Sequence, residues 1–157
     1  MINCTFENGN KASLRHVVVQ AIVEKNRKLL LVKRAEHLVE GGKWGLPSGF
    51  LDRDETASQG MLRELKEETG WDGEIISLFS INTNPDRGND LERQNVPLTF
   101  IVKLIKKTGK PDHESSAVSW ISIENLPKAK DLAFDHAETI KLYLDYKKNL
   151  FPLPLTI

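Results

Sequence analysis

Glu64, Glu67 and Glu68 sit close together in the string RELKEETG. If that string is helical, each residue advances about 100° around the axis. With Glu64 at zero, Glu67 then falls at about −60° and Glu68 at about +40°, so the three carboxylates share an arc of about 100°. Met61, Leu62, Leu65 and Thr69 crowd the neighbouring arc and can face a core. At roughly 6 Å and an effective dielectric of about 20, each adjacent pair of carboxylates costs about 3 kcal/mol before screening. A divalent cation removes that cost. Hard cations take oxygen ligands, and magnesium also keeps waters and substrate phosphates in its shell. The chemistry open to this arc is a Mg2+ or Mn2+ site acting on a phosphate compound. The alternative for the bare string is an exposed charged face, eased by Arg63 and Lys66, which is what charge runs usually are.

The wider spacing favours the site. Gly49, five residues, Glu55, seven residues, Arg63-Glu64-Leu65, one residue, Glu67-Glu68, one residue, Gly70 and an apolar Trp71 follow in order. This stretch resembles the Nudix box of the Nudix (MutT-like) hydrolases at every specified position, with Trp71 where the family usually has an aliphatic residue. The segment GKWGLPSGF resembles the family's approach to the box. The resemblance implies that Glu64, Glu67 and Glu68 bind Mg2+ or Mn2+, joined by the backbone carbonyl of Ser48. It implies that Arg63 pairs with Glu55 and holds the loop onto the helix. A general base outside the box is common in the family; Glu114 is the first candidate here and Glu92 the second. An exposed loop acid is the other reading of each.

The implied reaction is hydrolysis of a diphosphate linkage. Pro85 lies fifteen positions after Gly70, an offset proposed as a signature of ADP-ribose-type members. The string LAFDHAETI is similar to a stretch in ADP-ribose and nucleotide-sugar pyrophosphatases. Both point to a nucleoside diphosphate joined to another moiety, with Arg34, Arg87, Arg93 and Gln94 as substrate-binding candidates. For Arg34, at the end of an apolar run, solubility at a sheet edge is the alternative role. In the last helix the expectation is that Asp135 caps and His136 packs beneath. Two alternatives remain for the whole: a triphosphate pyrophosphohydrolase of the sanitising kind, and a nucleotide sensor without turnover. The complete acid set argues against the sensor.

Around the box, the elements that must position these residues follow from pattern. Residues 16–23 and 28–32 are nearly continuous apolar runs, as strands covered on both faces are. Residues 24–27 read as a hairpin connection. Residues 35–43 form a loop, and Trp44 is expected in the core. Gly49 is expected to supply a permissive φ for a tight turn. Asp54 or Thr56 can cap the box helix, and Gly70 stands where a helix stops. Strands are expected over 72–82 and 96–104, separated by a long loop over 82–95 of the kind that is functional or disordered. A short strand follows within 117–127, then a helix over 134–150.

The chain of 157 residues is expected to form a single domain, with an arm or edge strand over 1–14 and a tail over 151–157 that packs on the body or a partner chain. The resemblance implies an α/β/α sandwich with a mixed sheet. Lys plus Arg and Asp plus Glu both number 22, a balance without a nucleic-acid or membrane-surface footprint. Cys4 is alone, which excludes a disulfide framework. His16, His37, His113 and His136 lack zinc-ligand spacing. No apolar run reaches the roughly 18 residues of a spanning helix, and the first residues lack a signal-peptide centre. The expected setting is cytoplasmic, the expected partner a small nucleotide, and a homodimer is left open.

Overall fold

The computed structural model describes residues 2–86 and 94–157. In chain order the strands are β1 (Ile2–Thr5), β2 (Lys11–Leu14), β3 (Val17–Ile22), β4 (Glu24–Lys25), β5 (Lys28–Arg34), β6 (Trp44–Gly45) and β7 (Ser48–Phe50). Helix α1 (Ala57–Thr69) follows, then β8 (Trp71–Ile81), β9 (Val96–Lys107), β10 (Ser115–Ser122), helix α2 (His136–Lys148) and β11 (Leu155–Thr156). Five strands form a mixed sheet in the order β11-β8-β9-β3-β7, with β3 parallel to β9 and antiparallel to β7. A smaller sheet joins β10, β5 and β4, and β6 also pairs with β5.

Burial explains the apolar runs. Side chains alternate across a strand. In β3 and β5, Val19, Ala21 and Leu30 pack with Met61 and Leu65 of α1, while Ile22, Leu29 and Leu31 pack with Ile140 and Tyr143 of α2. Each strand therefore has an apolar layer on either side, which is the α/β/α arrangement. The β4–β5 hairpin closes through Asn26 and Arg27, both at positive φ, as two-residue turns of right-twisted hairpins require.

Helix α1 has a reciprocal capping box. Thr56, rather than Asp54, accepts from the Gln59 N–H, and Gln59 accepts from the Thr56 N–H. It ends at Gly70, whose φ of 75° is left-handed. A Cβ there would also run into the backbone of Gly109. The first residues form their own hairpin, β1 with β2. The tail lies parallel to β8, with Thr83 N–H donating to the Ile157 carbonyl at 2.6 Å. Trp44 packs in the α2-side core. Asp135 occupies the N-cap of α2 but makes no capping hydrogen bond through its side chain, contrary to the sequence expectation. Among the described residues no helix is long and apolar enough to cross a membrane.

Candidate active site

Arg63 is the hub of the acid cluster. Its Nε and Nη2 donate to the two Glu55 oxygens at 3.0 and 2.6 Å. Its Nη1 donates to Glu64 at 2.7 Å and to Glu67 at 3.0 Å. Its Nη2 also reaches the Phe50 carbonyl at 3.0 Å. One planar cation thus ties the β7–α1 connection to the helix and holds two of the three acids. The Arg63 bond, helped by the Asp52 N–H, holds Glu55 below the usual carboxylate range.

Glu68 is 4% exposed, and one oxygen accepts the Ser48 N–H at 2.8 Å. Burial pushes its carboxyl well above the usual range, and the Ser48 N–H only partly opposes this. Burial also raises Glu64; Arg63 counters it, while the Glu67 and Glu114 charges add to it. A Cβ at residue 49 would overlap the Glu64 carboxylate. Gly49 lies in β7 and is absent from the glycines at positive φ, so the requirement is room for Glu64 rather than the expected permissive φ.

The acids face a cavity of about 490 Å³. Its α1 wall includes Arg63, Glu64 and Glu67, with Ser48 and Gly49 of β7 beside them. Glu68 lies behind this lining. The loop before β10 adds Asp112 and Glu114. That loop hangs on the end of α1, where Asp112 N–H donates to the Glu67 carbonyl at 2.8 Å and Thr108 N–H to the Gly70 carbonyl at 2.9 Å. Glu114 is fastened to β5, its carbonyl accepting from Ala35 N–H at 2.8 Å. The facing wall comes from β3, the end of β5, the residue before β9 and the turn into α2, with Gln20, Arg34, Asn95, Phe134 and Asp135.

Of the residues singled out by sequence, Ser48, Arg63, Glu64, Glu67, Glu114 and Arg34 line one cavity, with Glu68 packed directly beneath. Gln94 is not in the lining; its carbonyl accepts from Arg15 at 2.6 Å, and its neighbour Asn95 lines the cavity instead. Arg87, Glu92 and Arg93 lie outside the described residues. Sequence reading missed Gln20, Asp52, Asn95 and Asp112 as lining residues, and took Phe134 and Asp135 as helix-fixing only. Among the described residues no three His, Cys, Asp or Glu side chains are grouped as a metal cage, and Arg63 bridges Glu64 and Glu67. The donor chemistry nevertheless fits a hard divalent cation: oxygen ligands throughout, two of them carboxylates whose burial lacks a full compensating charge.

Comparison with known proteins shows the family and the fold. Over 133 residues the chain is 36% identical to an ADP-ribose pyrophosphatase of Methanocaldococcus jannaschii, covering 85% of this chain and 75% of that protein. It is 31% identical over 134 residues to phosphatase NudJ of Shigella boydii, covering 82% of each. The crystal structure of a NUDIX hydrolase from Nitrosomonas europaea superposes with a TM-score of 0.79 at 27% identity, over 99% of this chain and 91% of that one. The family model for the NUDIX domain matches residues 14–143, a span that takes in the box, the cavity lining, all of α1 and the first part of α2, and the chain belongs to the Nudix family.

Proposed function

We propose that this Nudix hydrolase cleaves the diphosphate linkage of a nucleoside diphosphate joined to another moiety, ADP-ribose or a nucleotide sugar, with Mg2+ or Mn2+ held by Glu64, Glu67, Glu68 and the Ser48 carbonyl. The observation that carries this reading is one cavity that gathers the box acids, Glu114 and the Arg34 guanidinium. The name of the Methanocaldococcus relative supports the substrate class.

A divalent cation at these carboxylates supplies charge neutralisation on the diphosphate oxygens and a more acidic attacking water. The remaining tasks fall to the chain. Glu114 accepts the proton of the attacking water. Arg63 keeps Glu64 and Glu67 oriented, a task its five hydrogen bonds suit. Arg34 lines the cavity and balances phosphate charge. The β7 backbone lies against Glu64 and Glu68 and limits the water around them.

The test is phosphate release, after phosphatase coupling, from ADP-ribose, nucleotide sugars, dinucleotides and nucleoside triphosphates, each with Mg2+, with Mn2+ and with chelator. The expected result is cation-dependent turnover, greatest for ADP-ribose or a nucleotide sugar. Turnover confined to triphosphates would overturn the substrate class. Absence of turnover across the panel, with ligand binding retained, would make the chain a sensor.

A further inference from the structure

Arg15 stands just before β3, outside the cavity lining, and its guanidinium grips the chain at two points far apart in sequence. Its Nη1 donates to the Thr83 carbonyl at 2.8 Å, its Nε to the Gln94 carbonyl at 2.6 Å and its Nη2 to the Asn95 carbonyl at 3.5 Å. Thr83 follows the end of β8, and Gln94 and Asn95 precede β9. One fork therefore joins both ends of the β8–β9 connection. The donors of a guanidinium lie in one rigid plane, which suits it to carbonyls that arrive from different directions.

Both ends are also anchored elsewhere. Thr83 donates from its N–H and its hydroxyl to the Ile157 carbonyl, at 2.6 and 3.0 Å. On the other side, Val96 N–H donates to the His16 carbonyl at 2.7 Å, where the parallel β3–β9 pairing begins. Between these anchors Gln94 has a φ of 49°, a left-handed conformation that a residue other than glycine keeps when its surroundings hold it there. The charge-assisted bond from Arg15 to the Gln94 carbonyl supplies such a hold. The turn at Gln94 sets the course of the next residue, Asn95, which is 9% exposed and lines the cavity on the wall facing the box acids.

We propose that Arg15 is a positioning residue for substrate binding: by clamping Thr83, Gln94 and Asn95 it holds the Asn95 stretch of the cavity wall in its binding shape. The inference rests on the nucleoside-diphosphate reading above for the identity of the substrate. It concerns the wall that holds the substrate, not the acids that act on it. A wall ordered in advance spares the substrate the cost of ordering it. The clamp therefore acts on affinity and leaves the rate of the bound substrate's reaction nearly untouched.

The experiment compares the wild type, Arg15→Ala and Arg15→Lys in three measurements: ADP-ribose turnover with Mg2+, calorimetric binding of ADP-ribose to metal-free protein, and Mn2+ uptake. In Arg15→Ala, KM and the ADP-ribose Kd should rise roughly tenfold, while kcat and Mn2+ affinity stay within about twofold. Arg15→Lys should match Arg15→Ala, because one ammonium keeps the charge but cannot span both ends. A wild-type KM in Arg15→Ala, recovery by Arg15→Lys, or an equal loss of Mn2+ affinity would overturn the clamp. Arg15→Lys decides if Arg15→Ala does not fold. If the wild type binds ADP-ribose without hydrolysing it, the hydrolase reading falls and the Kd values still decide the clamp. Hydrolysis with an unshifted KM and Kd in both variants would sink the clamp alone. A wild type that neither binds nor hydrolyses ADP-ribose would overturn both.

Discussion

The two walls of the cavity are built on opposite principles. On the α1 wall, Glu64 and Glu68 carry carboxylates whose charge burial opposes, and Arg63 restrains two of the three acids at once. On the facing wall, Gln20 is neutral and already paired with the Thr99 and Thr139 hydroxyls. The first wall holds carboxylates whose charge burial opposes, a mismatch that a bound cation would relieve. In the second, the Gln20 amide is held in a fixed orientation by two hydroxyls.

Substitutions can break this contrast, and the largest effects belong to the acid wall. Glu64→Gln keeps shape but removes charge; kcat should fall by roughly 10²- to 10⁴-fold, with a melting temperature at or above that of the wild type. A wild-type rate in that variant would remove Glu64 from the site. Gly49→Ala drives a methyl group into the Glu64 carboxylate. Turnover should drop by about 10- to 100-fold, with far-ultraviolet circular dichroism unchanged, and unaltered turnover would show that Glu64 needs no such room.

The facing wall should answer in stability instead. Gln20→Leu leaves the buried Thr99 hydroxyl and its Thr139 neighbour without their donor. Denaturant unfolding should register a loss of about 1–3 kcal/mol, with kcat changed far less than by Glu64→Gln. The smallest effect concerns pH. The folded chain keeps the Glu68 proton above the pH at which the unfolded chain releases it. Metal-free protein should therefore lose stability as pH rises from the ordinary carboxylate range through the raised folded value. Glu68→Gln should flatten that slope and raise the melting temperature at neutral pH by roughly 2–4 °C for each kcal/mol recovered. A slope of the opposite sign would mean that Glu68 is not held protonated.

The same contrast explains what could be read from sequence. Glu64, Glu67 and Glu68 share one helix, so fixed offsets along a few turns were enough to place them on one arc, and the family resemblance carried the pairing of Arg63 with Glu55, which lies before the helix. Apolar runs marked β3 and β5, and capping chemistry marked both ends of α1. The facing wall has no local signature. Gln20 meets Thr99 and Thr139 across separations of 79 and 119 residues, through a parallel β3–β9 pairing that no short-range pattern encodes. Asp135 at a helix start reads as a cap, the commonest role for that residue there, whereas in the fold it makes no cap bond and lines the cavity. Gly49 was expected to supply a turn, because the carboxylate that crowds it belongs to the next element.

The most direct test of the acid wall is titration of metal-free protein with Mn2+, followed by calorimetry, comparing the wild type with Glu68→Gln. Saturable uptake by the wild type, weakened at least about tenfold in the variant, is the predicted result. No uptake by the wild type, or uptake that Glu68→Gln leaves unchanged, would contradict the assignment of these carboxylates to a divalent cation.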